Sequence, residues 1–463
     1  MKYRSTRDSS LIKPFSEVLL GGLAPDGGLY MPHDLKTFNL EEIKSFSSLS
    51  YHELTAEILY EFVKDELSKQ EFKTIISNSY QVFEDQEVVN LIELEERRWI
   101  LELFHGPTLA FKDIAMQLLG GLLGYFVHRD ERKVAVLGAT SGDTGSAAIS
   151  AFSRQQGIDI FILYPHKRVT DIQRKQMTTS QSNNVHALAV ETDFDGCQAM
   201  VKELFLDSDI LSNSSKFIAA NSINWARCMT QSVYYFWTYL KLQDQVNEIV
   251  FSVPSGNFGH SYAGWLAKEM GLPIKKILVA TNTNEVLHKL FSTNIYQKGE
   301  VTPTIAPSMD ISVASNFERL LYNLLNNDSK KLLESISQFP DKEISIPEES
   351  WKTVKDFFES STTSDQEILD EINQTYIDHD YVLDPHTATG VKAARDLGRS
   401  EEHIVTMATA HPAKFVDVIK KVLSKEAINK PNQLSAIEDL DEDFVVLPDK
   451  IDKVREYILS NVG

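Results

Sequence analysis

The sequence has few cysteines, no long apolar run and no excess of basic residues. Its two cysteines, Cys197 and Cys228, cannot build a disulfide framework or a four-ligand zinc site, and we expect both to be reduced and buried. The longest apolar stretch, residues 118–127, is glycine-broken and about half as long as a membrane span. The opening MKYRSTRDSS lacks the apolar segment of a secretory signal. We therefore expect a cytoplasmic protein that does not enter a membrane.

The charge balance also argues against two classes of partner. The chain has 46 Lys and Arg against 66 Asp and Glu, a net charge of −20. A nucleic-acid binder needs a basic surface, and an anionic membrane repels an acidic one, so neither partner is expected. No metal-binding spacing such as H-E-x-x-H occurs, and we expect no metal. With 463 residues, 42% hydrophobic, the chain is long enough for roughly two to four globular domains.

The pattern of apolar residues changes near residue 90. Before it, helical spacing between residues 40 and 83 predicts two or three helices. After it, β-rich runs alternate with helical patterns, which predicts parallel sheets flanked by helices. The predicted strands are residues 133–138, 159–164, 185–190, 248–254, 275–281 and 403–409. Residues 327–375 are polar and look helical. Ligands of such sheets bind beyond the carboxyl ends of the strands, so the loops there are the candidate sites.

Two of these loops are suited to anions. Residues 138–145 join a strand to a helix through Gly, Ser and Thr, whose amides and hydroxyls can bind an anion. Their spacing fits neither a P-loop nor a dinucleotide fingerprint, and a plain turn with Asp143 or Thr144 capping the helix is the alternative. Residues 254–260 carry Gly256 and Gly259 but no Lys or Arg, which suits a cofactor phosphate that stays in place.

Two further residues have the chemistry of a cofactor site. Lys112 follows a Gly-Pro break and lies in an apolar run at a predicted helix start. Burial would lower its pKa and favour the neutral amine that a Schiff base requires, although a surface lysine paired with Asp113 or another acid is the alternative. Thr409 is the last residue of the last predicted strand. Its hydroxyl can face a ring nitrogen of a ligand, although a threonine that merely ends a strand is the alternative. An amine, a phosphate loop and a hydroxyl together describe a pyridoxal phosphate (PLP) site.

Several segments resemble threonine synthases, in particular the longer branch of many bacteria and of fungi, which has its own N-terminal domain. The matching segments are APDGGLYMPHDL (24–35), HGPTLAFKD (105–113), ATSGDTGSAA (139–148), ANSINWAR (220–227), VPSGNFG (253–259) and ATAHPAKF (408–415). The resemblance implies a fold type II PLP enzyme, an α/β protein with two parallel-sheet lobes, the cofactor between them and an N-terminal α+β domain. It also implies conversion of O-phospho-L-homoserine and water to L-threonine and phosphate, with a monomer favoured over an oligomer.

The resemblance sets domain limits and residue roles. We expect an N-terminal domain over 1–92, a catalytic core over 93–430 with its smaller lobe at roughly 130–245, and a C-terminal segment over 431–463 that packs on the core. Lys112 matches the Schiff-base lysine and general base. The expected cofactor ligands are Lys112, Gly256, Asn257, Phe258, Gly259, Thr409 and Asp143. The expected substrate ligands are Thr140, Ser141, Thr144, Asn221 and Arg227. His260 stands where related sequences often carry Asp or Asn.

The substrate phosphate needs cations within an acidic chain. The candidates are Arg7, Lys175, Arg227 and Lys414, with His105 and His411 nearby in the motifs. Arg227 is favoured because it lies in the matching segment ANSINWAR and because arginine is suited to bidentate phosphate binding. For each candidate, an ordinary surface salt bridge is the alternative. We expect His386 to order a turn. The acidic cluster, namely Glu438, Asp439, Asp441, Glu442 and Asp443, is expected to be a solvated loop.

Two other functions share parts of this pattern. A threonine synthase-like phospho-lyase would use the same lysine but release 2-oxobutyrate, and its glycine loop and HPAKF segment are typically degraded. Both segments are intact here. A non-catalytic PLP-binding protein would not need the polar loops at 139–148 and 220–227. The synthase is therefore the favoured function.

Overall fold

The structure, a computed structural model, describes residues 1–140, 142–206, 215–219 and 222–462. Its strands in chain order are β1 (Tyr3–Ser5), β2 (Ile12–Lys13), β3 (Tyr30–Pro32), β4 (Asn90–Glu95), β5 (Arg98–Glu102), β6 (Lys133–Ala139), β7 (Ile158–Pro165), β8 (Val185–Val190), β9 (Ser215–Ala219), β10 (Ile249–Pro254), β11 (Ile274–Asn282), β12 (Phe358–Thr363), β13 (Ile404–Ala408) and β14 (Val445–Leu447). They form three sheets, in the orders β2-β1-β3, β12-β11-β10-β13-β5-β4 and β14-β8-β7-β6-β9.

The helices lie around these sheets. In chain order they are α1 (Phe15–Gly21), α2 (Leu40–Ser45), α3 (Tyr51–Val63), α4 (Lys69–Tyr80), α5 (Lys112–Arg129), α6 (Asp143–Phe152), α7 (Asp171–Thr178), α8 (Phe194–Leu206), α9 (Trp225–Leu242), α10 (Gly259–Glu269), α11 (Val286–Thr293), α12 (Phe317–Leu324), α13 (Ser329–Ile336), α14 (Glu348–Phe357), α15 (Asp365–His379), α16 (Pro385–Leu397), α17 (Val416–Ile419), α18 (Asn432–Ile437) and α19 (Ile451–Asn461). Short 3-10 turns lie at Pro307–Met309, Pro412–Phe415 and Lys425–Ala427.

The N-terminal part is an α+β unit. Its small antiparallel sheet, β1 to β3, packs with α1 to α4. Helices α2, α3 and α4 each begin at a capping box, so their start points are set by local sequence. The three helices confirm the prediction for residues 40–83. One continuous apolar core joins this unit to α5, α9 and the larger sheets. The N-terminal unit is therefore packed onto the rest of the protein.

The two larger sheets confirm the predicted parallel α/β class. All six predicted strands are present, as β6, β7, β8, β10, β11 and β13, and each pairs in parallel with a neighbour. Among the described strands of these two sheets, only the edge strand β4 is antiparallel to its partner β5. The smaller sheet also includes β14 from the C-terminal segment, which pairs in parallel with β8. The domain boundaries themselves stay predictions.

The helical prediction for residues 327–375 was wrong in one place. Strand β12 lies inside this range and pairs with β11 at the edge of the six-stranded sheet. Its sequence, FESSTT, contains one apolar residue, so the local pattern does not predict a strand. Its assignment rests on its pairing partner and could not be made from local pattern.

The prediction for the acidic cluster was wrong for Glu442. Four of the five residues are exposed, but the Glu442 carboxylate accepts hydrogen bonds from Arg174 Nε at 2.8 Å and Thr178 Oγ1 at 2.7 Å. Both partners lie on or at the end of α7. The cluster thus joins the C-terminal segment to the smaller lobe.

The two longest described helices, α5 and α9, each have 18 residues and cross the interior. All residues of α9 except Lys241 are buried, and Cys228 lies among them. Cys228 and Cys197 are both buried and free of disulfides, as expected, and burial raises the pKa of Cys228 to about 11. Within the described residues, no helix combines the length and apolarity needed to cross a bilayer.

Candidate active site

Four of the predicted loops follow the carboxyl ends of strands β5, β6, β10 and β13. Three of them touch directly. The backbone N–H of Phe111 donates to the Thr409 carbonyl at 2.9 Å, and Lys112 Nζ lies 3.6 Å from Asp143 Oδ2. These contacts join loops from the two larger sheets. The candidate site therefore lies between the two lobes, where open α/β sheets bind ligands.

Lys112 is the first residue of α5, and its side chain is only 13% exposed. Burial lowers the pKa of its amine, and the positive charges of Lys414 and Arg227 lower it further, while the Asp143 carboxylate opposes them. The direction agrees with the sequence prediction. A lysine in this setting is suited to act as a nucleophile and base.

The alternative that Lys112 pairs with Asp113 was wrong, although Lys112 does lie near another acid, Asp143. The buried Asp113 carboxylate accepts from the backbone N–H of Thr108 at 2.8 Å and from its hydroxyl at 2.6 Å. Burial raises the pKa of Asp113 to about 6. A Cβ at Gly106 would lie 2.5 Å from Asp113 Cβ, so only glycine fits there. Asp113 therefore fixes the turn that leads into Lys112.

Asp143 faces Lys112 from the smaller lobe. Burial favours its protonated form, but the charges of Lys414 and Lys112 and the hydrogen bond from Lys414 lower its pKa well below the ordinary value. Gln173 Nε2 donates to its Oδ1 at 3.0 Å, a contact that sequence reasoning missed because the two residues lie 30 positions apart. Asp143 is thus an ionised, fixed carboxylate.

The loop before Asp143 is fixed by its own hydroxyl. Thr140 Oγ1 accepts from the backbone N–H groups of Gly142 and Gly145, both at 2.9 Å. The helix N-cap is Gly142, with φ of 140°, a backbone conformation that favours glycine, so the first-turn N–H of Gly145 is bound by the Thr140 hydroxyl and not by a side chain at the N-cap. The alternative that Asp143 or Thr144 caps α6 was therefore wrong. Thr144 is half-buried in the first turn.

Lys414 is fully buried and its charge is already neutralised. Its Nζ lies 2.8 Å from Asp143 Oδ1 and donates to the Thr108 carbonyl at 2.7 Å. These two partners count against Lys414 as the ligand of the substrate phosphate. Its position between the two lobes instead fixes Asp143 relative to the turn before Lys112.

Replacement of Lys414 by methionine in the holoenzyme should lower the free energy of unfolding by about 3–5 kcal/mol, because Asp143 would lose a buried partner. The double variant Asp143→Asn, Lys414→Met should lose less, since both charges are gone. The control Lys420→Met removes a lysine that is 42% exposed and should change stability by about 0.5 kcal/mol at most. Urea unfolding of the four proteins measures this, and equal losses in the single and double variants would contradict it.

The other phosphate candidates differ in whether they already have partners. Arg7 Nη2 lies 2.7 Å from Glu318 Oε2, and Lys175 donates to the Glu438 backbone carbonyl. Arg227, in contrast, is 4% exposed, and its Nε and Nη1 have no hydrogen-bond partner among the residues that the structure describes. Burial lowers the pKa of Arg227 to about 10, so the group stays charged at neutral pH. Of the four candidates, Arg227 is the one suited to an anionic ligand.

The glycine loop after β10 is shaped for a phosphate. Phe258 adopts a left-handed conformation with φ of 62° at the N-cap of α10, and no side chain caps the helix. No described acceptor is hydrogen-bonded to the backbone N–H groups of Gly256, Asn257 or Gly259. A Cβ at Gly256 would lie 2.7 Å from the Ser308 carbonyl oxygen, so only glycine fits. Free amides at a helix start fit the phosphate of PLP.

Thr409 lies beside Lys112 at the end of β13. Its backbone N–H donates to Thr387 Oγ1 at 3.1 Å, and the Thr387 hydroxyl in turn contacts Asp384. His386, expected to order a turn, is buried in the first turn of α16, and its Nε2 accepts the backbone N–H of Ser308 at 3.1 Å. These contacts set the position of the Thr409 segment and of the backbone that lies against Gly256.

A buried arginine joins the N-terminal unit to this site. Arg319, with no exposed surface, donates to Asn316 Oδ1 at 3.0 Å and to the backbone carbonyls of Tyr30 and Ile223. Asn316 Nδ2 donates to the Asn257 carbonyl at 3.2 Å. The arginine thus connects β3, the segment before α9 and the glycine loop. No sequence signal marked it, because its partners are far apart in the chain.

Two expected substrate ligands, Ser141 and Asn221, lie outside the described residues. The roles expected for the other site residues are taken up below as proposals.

Family models and relatives agree on one family. The models are described as threonine synthase N terminus, over residues 2–80, pyridoxal-phosphate dependent enzyme, over 93–410, and threonine synthase, C-terminal, over 387–458. The threonine synthase of Pseudomonas aeruginosa is 44% identical over 99% of this chain and 98% of its own length.

Solved structures give the same result. The PLP-bound threonine synthase from Brucella melitensis is 39% identical, with a TM-score of 0.95 over 100% of this chain and 99% of that one. Yeast threonine synthase is 35% identical, with a TM-score of 0.94 over 99% and 98%. The fold type II architecture and the PLP cofactor are thereby confirmed. The chain belongs to the threonine synthase family of PLP-dependent enzymes.

Proposed function

We propose that the chain converts O-phospho-L-homoserine and water to L-threonine and phosphate, the last step of threonine biosynthesis. The observation that supports this function is that two candidate anion sites lie near Lys112, one formed by backbone amides and the other by an arginine side chain. The glycine loop has no Lys or Arg, and its backbone N–H groups at Gly256, Asn257 and Gly259 have no acceptor among the described residues. Arg227, by contrast, has two guanidinium nitrogens, Nε and Nη1, without a partner in the described part of the chain. One site suits the cofactor phosphate, and the second suits a phosphorylated substrate.

The proposed cofactor ligands come from both lobes. Lys112 would provide the amine for covalent attachment, and Gly256, Asn257, Phe258 and Gly259 would hold the phosphate. Thr409 would hydrogen-bond the ring nitrogen, and Asp143 would contact the cofactor from the smaller lobe. When bound, PLP supplies an electron sink for negative charge that develops on the substrate. A hydroxyl partner such as Thr409 leaves the ring nitrogen largely neutral.

Lys112 is the proposed general base. Its lowered pKa keeps a larger fraction of the amine neutral at physiological pH, so that it can take a proton from the substrate Cα. A positioned base contributes typically about 10²–10⁴-fold to a rate. The contact with Asp143, itself held by Lys414 and Gln173, limits where the amine can move.

Arg227 is the proposed ligand of the substrate phosphate. A guanidinium presents two parallel N–H donors to phosphate oxygens, and burial strengthens this attraction. Its positive charge is one of the causes that lower the pKa of Lys112. Holding the phosphate there orients the substrate and stabilises the leaving group. Asn221 is proposed to assist it.

The loop after β6 is the proposed site of the substrate carboxylate. Thr140, Ser141 and Thr144 carry hydroxyls close to the start of α6, where the helix dipole favours an anion. The Thr140 oxygen already accepts two amides, so its O–H is the part free to donate. A monomer as the active unit stays a prediction of the sequence. The cytoplasmic location stays a prediction of the sequence.

The products formed from O-phospho-L-homoserine test this function. We expect L-threonine and phosphate in equal amounts, because Arg227 and the loop after β6 retain the substrate until water has added. Release of mainly 2-oxobutyrate would contradict the proposal and indicate a phospho-lyase. Unphosphorylated homoserine is the control, and it should give no threonine, since it lacks the group that Arg227 binds.

A further inference from the structure

His260 is a buried histidine in the first turn of α10 that has no assigned role. Its ring is 5% exposed and stacks on Phe111 at a centroid distance of 4.9 Å and an angle of 16°. The Tyr234 ring lies edge-on to it at 5.5 Å. Phe111 directly precedes Lys112. The imidazole thus lies between the glycine loop and the segment that carries the catalytic lysine.

Both ring nitrogens of His260 lack a hydrogen-bond partner within the described part of the chain, although both are buried. Burial lowers the pKa of His260 to about 3, and the charge of Lys112 contributes to the shift. The ring is therefore neutral and carries one N–H donor. A buried donor without an acceptor is unfavourable, so a ligand that supplies an acceptor would satisfy it.

The surroundings favour an anionic acceptor. The backbone N–H groups of Gly256, Asn257 and Gly259 have no described acceptor, nor does that of His260 itself. Free amides at the start of a helix concentrate positive potential at one point. A phosphate held by this loop lies next to the helical turn from which the His260 ring extends.

We propose that His260 donates a ring N–H hydrogen bond to the phosphate of the cofactor. The proposal rests on the placement of that phosphate at residues 256–259, given above. It assigns to His260 a binding role that the glycine loop alone does not provide, in a site that has no Lys or Arg in its loop.

The test compares PLP with pyridoxal, which is the same molecule without the phosphate. Apoenzyme with His260→Phe keeps an aromatic ring on Phe111 but has no ring nitrogen. In titrations followed by cofactor absorbance, we expect the variant to weaken PLP binding on the order of 10–100-fold, the value of one hydrogen bond to a charged group. Pyridoxal binding should change less than about threefold, because the lost bond involves only the phosphate. The ³¹P chemical shift of bound PLP should also move.

Equal losses for PLP and pyridoxal would overturn the proposal, since they would indicate a general packing defect. No loss for either would overturn it as well. The variant Gly256→Ala tests separately whether the cofactor phosphate lies at the glycine loop. Its Cβ would lie 2.7 Å from the Ser308 oxygen and would therefore distort this loop. If Gly256→Ala weakens PLP selectively and His260→Phe does not, the loop placement stands and the role of His260 is refuted.

Inorganic phosphate added to the holoenzyme distinguishes the substrate phosphate from the cofactor phosphate. Its affinity should be unchanged in His260→Phe, because it competes with the substrate at Arg227. Weaker phosphate binding with unchanged PLP affinity would assign His260 to the substrate site and overturn the proposal. His260→Asn, which keeps an amide donor, should recover part of the PLP affinity.

Discussion

Replacement of Lys112 by alanine is expected to abolish threonine formation, with a loss of at least about 10⁴-fold. The variant should also lose the visible absorbance of lysine-bound PLP, because no other described lysine amine near the site is free. Lys414 is paired with Asp143 and with the Thr108 carbonyl. Steady-state assays and absorbance spectra of the purified holoenzyme measure the two effects together.

The loss in Lys112→Ala should occur without unfolding. Asp143 keeps Lys414 at 2.8 Å and Gln173 at 3.0 Å, so its carboxylate stays partnered. The melting temperature of the apoprotein should therefore change little. Lys112→Arg is a second variant: it keeps the positive charge but cannot act as a base at neutral pH, so it should be inactive too. Turnover retained in either variant would refute the assignment of Lys112.

Replacement of Arg227 by methionine should lower activity without lowering the stability of the folded protein. We expect kcat/KM for O-phospho-L-homoserine to fall at least about 10²-fold, since two hydrogen bonds to a charged phosphate are lost. The free energy of unfolding without ligand should not fall, because the buried Nε and Nη1 have no described partner to lose. The methionine removes a desolvated charge and fills much of the same volume.

Arg395→Met is the matched control. Arg395 Nη2 lies 2.9 Å from the buried Glu371 carboxylate, so this variant should lose stability and keep its kcat/KM. Arg227→Met should thus lose kcat/KM and keep its stability, whereas Arg395→Met should lose stability and keep its kcat/KM. An Arg227→Met protein that is destabilised but binds substrate normally would show that Arg227 is a structural residue. Steady-state kinetics and thermal unfolding, both in phosphate-free buffer, provide the comparison.

The sequence was sufficient for features that depend on neighbouring residues. The six parallel strands follow from local apolar runs, and the place of Lys112 at a helix start follows from the Gly-Pro break before it. The glycine loop was identified because a phosphate site needs its parts in consecutive positions. In each case the physical cause lies within about ten residues of the effect.

Features that depend on contacts between residues far apart in the chain could not be predicted from the local sequence. Lys414 was considered a phosphate ligand because nothing near it in the chain indicates that Asp143, far earlier, neutralises it. Asp113 was considered a partner of Lys112 by adjacency, whereas successive helical residues point in different directions. Strand β12 has polar residues and is defined by its pairing with β11. Only the three-dimensional contacts resolve these assignments.

The contact between Arg319 and Tyr30 has a consequence for the order in which the protein matures during synthesis. The two residues are separated by 289 positions, and the Thr6 to Glu318 contact by 312. At about 5–20 residues per second, a ribosome that has finished β3 needs roughly 15–60 s to add Arg319. During this interval the Tyr30 carbonyl of the N-terminal unit lacks its hydrogen bond from Arg319. The Asn257 carbonyl of the glycine loop likewise lacks its hydrogen bond from Asn316 until Asn316 has been added. The enzyme's earliest segment and its cofactor loop therefore reach their final form together, late in translation.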